Sequence, residues 1–144
     1  LYGFRKPSLR PLLAVAYVSS LATKLSDTLA SEVGKAYGKT CYLSTTLKRV
    51  PPGTEGAVSL EGTLAGFAGS VVAALYAVAV GLTPRAALLP VVVAAFVATT
   101  CESWLGAGAQ GKVKWLTNEV INFLNTLIGA GVGAALSFRL FNLY

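Results

Sequence analysis

The residues of this chain that could do chemistry are few and grouped. Its six acidic residues are Asp27, Glu32, Glu55, Glu61, Glu102 and Glu119. An acid that must approach hydrocarbon costs roughly 2.5–3.5 kcal/mol on insertion scales, so in a chain this apolar such residues are functional candidates. Between the second and fourth of them runs TTLKRVPPGTEGAVS. Here Thr45 and Thr46 offer hydroxyls and Lys48 and Arg49 offer positive charge. The turn at 51–56, with Gly53 and Thr54, exposes successive backbone N–H groups, and the combination can cradle phosphate. It is not a P-loop, because it lacks GxxxxGK[ST] and does not run from a strand into a helix. Spacing alone leaves open a surface turn whose two cations sit at headgroup level. The chain has no His, which removes imidazole general bases and the commonest metal ligand.

The elements that must position these residues follow from composition. The chain is 54% hydrophobic and 12% charged, against roughly 25% charged residues in soluble domains, and therefore reads as a membrane protein. The fold class expected is an all-α integral membrane domain of four helices in an up-down bundle with one long polar loop. The spans fall at 11–37, 59–82, 84–105 and 117–140, with the loop at 38–58 and a basic juxtamembrane segment at 1–10. In the first span, Tyr17, Ser20, Lys24, Asp27, Thr28, Ser31, Glu32 and Lys35 share one helical face about 140° wide, which must meet protein or water. The second carries Gly62 and Gly66 as a GxxxG step for close helix approach. The fourth carries Asn118, Asn122 and Asn125, continuing through Gly129 and Gly133, as a packing seam with polar residues embedded in it.

Alternating directions put the end of span one, the start of span two, the end of span three and the start of span four on one side of the bilayer. Asp27, Glu32, Glu61, Glu102, Gln110, Asn118 and Asn122 are then neighbours in depth. Asp27, Glu32, Glu61 and Glu102 are expected to surround one polar pocket beside Lys48 and Arg49. Structural readings stand beside the functional ones. Glu61 and Glu119 suit the first turns of helices capped by Ser59 and Thr117. Asp27, Glu32 and Glu102 lie toward helix ends where the dipole repels them, and pairing with Lys24 or Lys35 is the structural reading for these three.

The net charge of +6 suits anionic headgroups or a phosphorylated ligand, while no basic surface with interleaved aromatics points to nucleic acid. Basic residues divide almost evenly between the two sides, so orientation is open. Cys41 and Cys101 lack the spacing of a disulfide framework or a zinc site and read as inert thiols. Met is absent, position 1 included, so a processed precursor or a longer chain is expected.

The runs ATKLSDTLASEVGKAYGKT, STTLKRVPPGTEGAVSLEGTLAG, ESWLGAGAQ and WLTNEVINFLNT occur in the order in which they resemble the chloroplast phytyl-phosphate kinase family of tocopherol synthesis and its integral-membrane relatives. The resemblance covers nearly everything after Tyr17 and corresponds to the C-terminal half of family members. It implies phosphoryl transfer from a nucleoside triphosphate to phytyl phosphate in a plastid membrane, with prenyl lipid as partner. Asp27, Glu32, Glu61 and Glu102 would then be catalytic, and Asp27, Glu32 and Glu102 would hold Mg²⁺. Thr45, Thr46, Lys48, Arg49, Gly53 and Thr54 would hold phosphate, with Gln110, Asn118 and Asn122 as a polar seam. Glu119 stands where relatives often have Asp. The alternative is a non-catalytic subunit of a larger thylakoid photosystem or light-harvesting complex. Such a subunit would carry chlorophyll or carotenoid on its apolar faces and, without His, would ligate magnesium only through Glu, Asn, Gln, a carbonyl or water.

Overall fold

The computed structural model describes residues 9–108 and 115–141. Helix α1 spans Leu9–Tyr37, followed by three short strands, β1 (Cys41–Leu43), β2 (Arg49–Val50) and β3 (Ala57–Ser59). Helix α2 spans Leu60–Ala79, a 3-10 turn at Arg85–Ala87 leads into α3 (Leu88–Gly108), and α4 spans Asn118–Phe141. Three segments have the length and apolarity to cross a membrane: Leu60–Ala79, Arg85–Gly108 and Asn118–Leu140. Helix α1, 29 residues long and so about 43 Å at 1.5 Å per residue, has length to spare but keeps its charged face. The molecule is a mostly helical integral membrane protein.

Helix α1 is the centre of the bundle and packs against each of the other three helices. Its buried residues, Val15, Val18, Ser19, Ala22, Thr23 and Ser26, recur at helical spacing and are all small or β-branched. Small residues matter because lipid is as apolar as the helices, leaving close packing and hydrogen bonding to hold them together. On α2, Gly62 and Gly66 meet this face; a methyl at Gly66 would lie 2.8 Å from the Ser26 carbonyl oxygen, and one at Gly62 would collide with the Ala30 carbonyl oxygen. On α4 a stripe with a period of four, Ile121, Asn125, Gly129, Gly133 and Ser137, is buried. Gly129 seats against Thr23 and Gly133 against Ser19. A second apolar cluster joins Val15, Val18 and Ala22 to Ala74, Ala77, Ala87, Val91 and Ala95. Large apolar side chains such as Leu13, Phe67, Tyr76, Phe96 and Phe123 point outward, as a lipid-facing surface requires.

The segment expected as a long polar loop is ordered into a three-stranded antiparallel sheet in the order β2-β1-β3. Cys41 pairs with Val50 on one side and Ser59 on the other. The ladder occupies backbone groups that would otherwise be left open beside the hydrocarbon, where each unsatisfied group is costly. The β1–β2 turn includes Leu47 at φ 55°. The turn into β3 passes through Gly56 at φ 72°, where any Cβ would strike the backbone of Ala107. Glycine there serves both the left-handed conformation and the close approach to α3.

The α1–α2 seam can be tested directly. Gly62→Val should cost roughly 1–3 kcal/mol through overpacking against fixed backbone, read as a lowered thermal midpoint in detergent. Gly131→Val, at a helical glycine with open space around it, should leave the midpoint nearly unchanged. Equal effects at the two positions would contradict the seam.

Candidate active site

The side of the bundle where α1 ends, α3 ends, α4 begins and the sheet sits encloses a cavity of about 340 Å³. Its walls include Lys24, Asp27, Glu32 and Lys35 from α1, Glu55 and its neighbours from the turn before β3, Glu102 from α3, and Asn118 and Asn122 from α4. Residues from these four separate stretches of the chain therefore converge on one polar chamber.

Two hydrogen bonds between helices build it. The Lys24 ammonium donates to Asp27 Oδ2 at 2.9 Å on its own helix and to Asn122 Oδ1 on α4. Asn125, one turn further along α4 and buried, donates through Nδ2 to Glu102 Oε2 at 2.5 Å. The same α4 face thus restrains a cation from α1 and a carboxylate from α3. Glu102 and Asp27 face the same small chamber, with Lys24 and Glu55 also on its walls. Two carboxyl groups sharing a site repel when both are charged, and a cation between or beside them relieves the repulsion. Lys24 is one such cation.

The sheet is fastened to the same place. Ser44 Oγ donates to the Ser103 carbonyl oxygen at 2.9 Å, taking up a backbone acceptor near the α3 C-terminus. Thr54 Oγ1 donates to the Pro51 carbonyl oxygen at 2.8 Å, closing the turn that carries Glu55 to the cavity wall.

Of the residues singled out in the sequence, Asp27, Glu32, Glu102, Gly53, Thr54, Asn118 and Asn122 line the cavity. Gln110 lies outside the described residues. Glu61 does not line it; its carboxylate accepts the Lys39 backbone N–H at 3.4 Å. That position follows from its place in the first turn of α2, where Ser59 caps the helix by accepting the Gly62 N–H at 3.1 Å. Thr45, Thr46, Lys48 and Arg49 also lie away from the cavity. The strands turn this part of the segment outward, so Thr46 receives the Lys48 N–H within its own turn and Arg49 joins Lys39 and Pro51 around a separate shallow cleft. The expected pocket beside Lys48 and Arg49 is instead supplied with positive charge by Lys24 and Lys35.

Of the three acids expected to pair with Lys24 or Lys35, Asp27 pairs with Lys24 and Glu32 with Lys35, the latter at 3.2 Å and exposed, whereas Glu102 accepts instead from Asn125. Asp27 lies well inside α1, far enough from Tyr37 for the end of the dipole to be a minor influence on it. Glu55, one of the six candidate acids but with no role assigned from the motifs, also lines the cavity. Its signal was present, an acid between two turn glycines on the same side of the membrane as the others, but depth alone did not distinguish it from a solvated turn residue. Among the described residues no three acidic or Cys side chains converge tightly enough to form a metal cage. Cys41 and Cys101 are free.

Apolar spans around a polar chamber at one membrane side define an integral membrane protein with a candidate site for an anionic or cation-bound ligand. Residues 2–130 match the family described as Integral membrane protein DUF92, and the chain belongs to that family. It is 57% identical over 120 residues to an uncharacterized membrane protein of Synechocystis sp., covering 83% of this chain and 46% of that protein. It is 50% identical over 122 residues to Protein VTE6, chloroplastic, of Arabidopsis thaliana, covering 83% of this chain and 36% of that protein. An uncharacterized membrane protein of Methanocaldococcus jannaschii is 31% identical over 119 residues, 83% of this chain and 49% of its own length. The chain thus spans less than half the length of these relatives. No solved structure is detectably similar to it. The family recognised from the sequence motifs is the one to which these matches lead.

The cross-helix bond can be weighed by a double-mutant cycle. Lys24→Met and Asn122→Leu should show a coupling of about 0.5–3 kcal/mol, the range for residues in one hydrogen-bonded network, measured by thermal unfolding in detergent. The same cycle on the exposed Lys35 and Glu32 pair should give about 0–1 kcal/mol. A larger coupling for the exposed pair would reverse the assignment of the structural tie.

Proposed function

We propose that the cavity contributes to phosphoryl transfer from a nucleoside triphosphate to a prenyl monophosphate such as phytyl phosphate, in a chloroplast membrane. The observation that carries this reading is the meeting of Asp27 and Glu102 beside Lys24 in a chamber walled by the Gly53–Gly56 turn. Family membership and the likeness to a chloroplastic relative support it. Because the matched region covers less than half of each of those relatives, activity is proposed for the site to which these residues contribute.

The chemistry asks little covalent work of the protein. A phosphate oxygen of the prenyl monophosphate attacks the terminal phosphorus of the nucleotide. The bond to the bridging oxygen breaks, and nucleoside diphosphate leaves as prenyl diphosphate forms. The acceptor is already an anion at neutral pH, so no side chain must remove a proton; positioning and charge stabilisation dominate. Lys24, held by Asn122 and Asp27, is placed to balance negative charge on the entering phosphate. Lys35 offers a second cation at the rim. Asn118 and the turn backbone can donate to phosphate oxygens, and Asn125 orients Glu102.

Two hard oxygen donors fit Mg²⁺, which usually takes one or two protein carboxylates and fills its shell with water and phosphate oxygens. Asp27 and Glu102 would hold it, and it would supply neutralisation of charge on the transferring group. Glu32, exposed and paired with Lys35, is the least suited of the three acids first expected to do so. The reading as a pigment-complex subunit gains nothing from the outward apolar faces, which serve equally well for lipid.

The test is transfer from γ-labelled nucleoside triphosphate to phytyl phosphate by the protein in proteoliposomes containing Mg²⁺. Asp27→Asn and Glu102→Gln should each lower the rate by about 10²–10³, the scale of losing one preorganised electrostatic group, with helicity and membrane insertion retained. Glu61→Gln should leave the rate within a few fold. Wild-type rates in both carboxylate variants, or no transfer by the wild type, would sink the proposal.

A further inference from the structure

We propose that the crease between α2 and α3 receives the isoprenoid chain of the prenyl phosphate whose head group occupies the acidic cavity. This rests on the functional reading above and adds where the substrate's tail lies. Three cavities lie in series, each sharing wall residues with the next. The acidic cavity shares Asp27, Ser31, Ser59 and Ser103 with a second cavity of about 290 Å³, and that one shares Phe67 and Phe96 with a third of about 600 Å³.

Polarity falls steadily along the path. The first chamber is walled by charges. The second is rich in hydroxyls, but those along α3 and Ser70 already have their protons committed: Ser70 donates to the Phe67 carbonyl oxygen, Thr99 to Ala95, Thr100 to Phe96 and Ser103 to Thr99. Such walls present few free donors and accept an apolar occupant. The third is walled only by apolar side chains, among them Val71, Leu75, Leu89 and Val92. A gradient from charge through satisfied hydroxyls to hydrocarbon matches an amphiphile with an anionic head and a long apolar tail. From Ser103 to Leu88 the path follows α3 for about 22 Å at 1.5 Å per residue, more than one leaflet of roughly 15 Å.

The crease is not built like a seat for another helix. Helix seams in this protein are lined by Gly, Ala, Ser and Thr, which permit close backbone approach. Here Phe67, Leu75, Leu89 and Phe96 stand out from their helices and are exposed, leaving a slot between bulky walls. A branched, flexible chain fills such a slot; a helix cannot enter it closely.

The experiment uses the protein in phosphatidylcholine nanodiscs and a geranylgeranyl phosphate analogue with a diazirine at the far end of its chain. After irradiation, peptide mapping should find label on 71–75 and 88–92. Excess phytyl phosphate should suppress that label about tenfold, whereas phytol, lacking the phosphate, should compete far less. Leu89→Trp with Val92→Trp fills the far end of the slot and should weaken competition by phytyl phosphate about tenfold while sparing that by the shorter geranyl phosphate. Phe123→Trp, on the lipid-facing side of α4, should change neither. Label insensitive to phytyl phosphate would show an ordinary lipid crease and overturn the proposal. Competed label on α1 or α4, or equal competition by phytol, would overturn it too. Because the readout is binding, phosphate-dependent label in the crease without any phosphoryl transfer would defeat the functional reading and leave this one standing. Transfer with competed label elsewhere would do the reverse.

Discussion

Lys24 lies on the central helix of the bundle, half-exposed in the polar chamber, and its ammonium finds two partners in protein. It is held by Asp27 one turn along α1 and by Asn122 across the interface on α4. A charge beside apolar helices is best placed against polar partners, and α4 presents an amide at that height and in that register. Asn125, at the next turn, then meets Glu102, and the register of α3 follows. One cation on one helix thereby ties three helices together and brings two carboxyl groups into one chamber. The chamber is a consequence of satisfying buried polarity, and its use for ligand charge follows from the same groups.

Close packing makes this arrangement possible. Between helices in lipid there is little hydrophobic driving force, and short contacts through small side chains take its place. The Gly62 and Gly66 step on α2 and the Gly129 and Gly133 step on α4 both grip α1, on faces where it offers Ser19, Thr23, Ser26 and Ala30. The α2–α3 pair has no such step. Bulky side chains keep those two helices apart along their outer edge, and the resulting slot joins the polar chamber through hydroxyl groups bonded to their own helices. Tight seams and an open crease thus come from the same small set of residue sizes.

The short sheet between α1 and α2 has a positioning role. Its ladder satisfies backbone groups near the membrane surface, Ser44 fastens it to the end of α3, and Gly56 lets the following strand lie directly on Ala107. The turn carrying Glu55 is thus fixed against the bundle and closes one wall of the cavity. The cations of the same segment, Lys48 and Arg49, are directed outward by the strand geometry and are exposed.

Much of this was legible from residue order alone. Apolar run lengths specify helices, the polar face of α1 must avoid lipid, and glycine and asparagine spacing marks the seams; these are local and periodic properties of a chain in a bilayer. Alternation of spans also placed Asp27, Glu32, Glu102, Asn118 and Asn122 on one side. Residue order did not decide which polar groups at that depth face one another, because that depends on helix rotation and on how an irregular segment folds back. Only the tertiary structure directed Glu61 to a backbone N–H, turned Lys48 and Arg49 outward, and brought Glu55 and Lys24 to the cavity. It alone shows the two hydrogen bonds that tie α4 to α1 and α3 at the chamber, and the progressively less polar cavities that lie in series beside it toward the α2–α3 crease. Depth is set by the linear pattern, whereas azimuth is set by contacts between segments far apart in the chain.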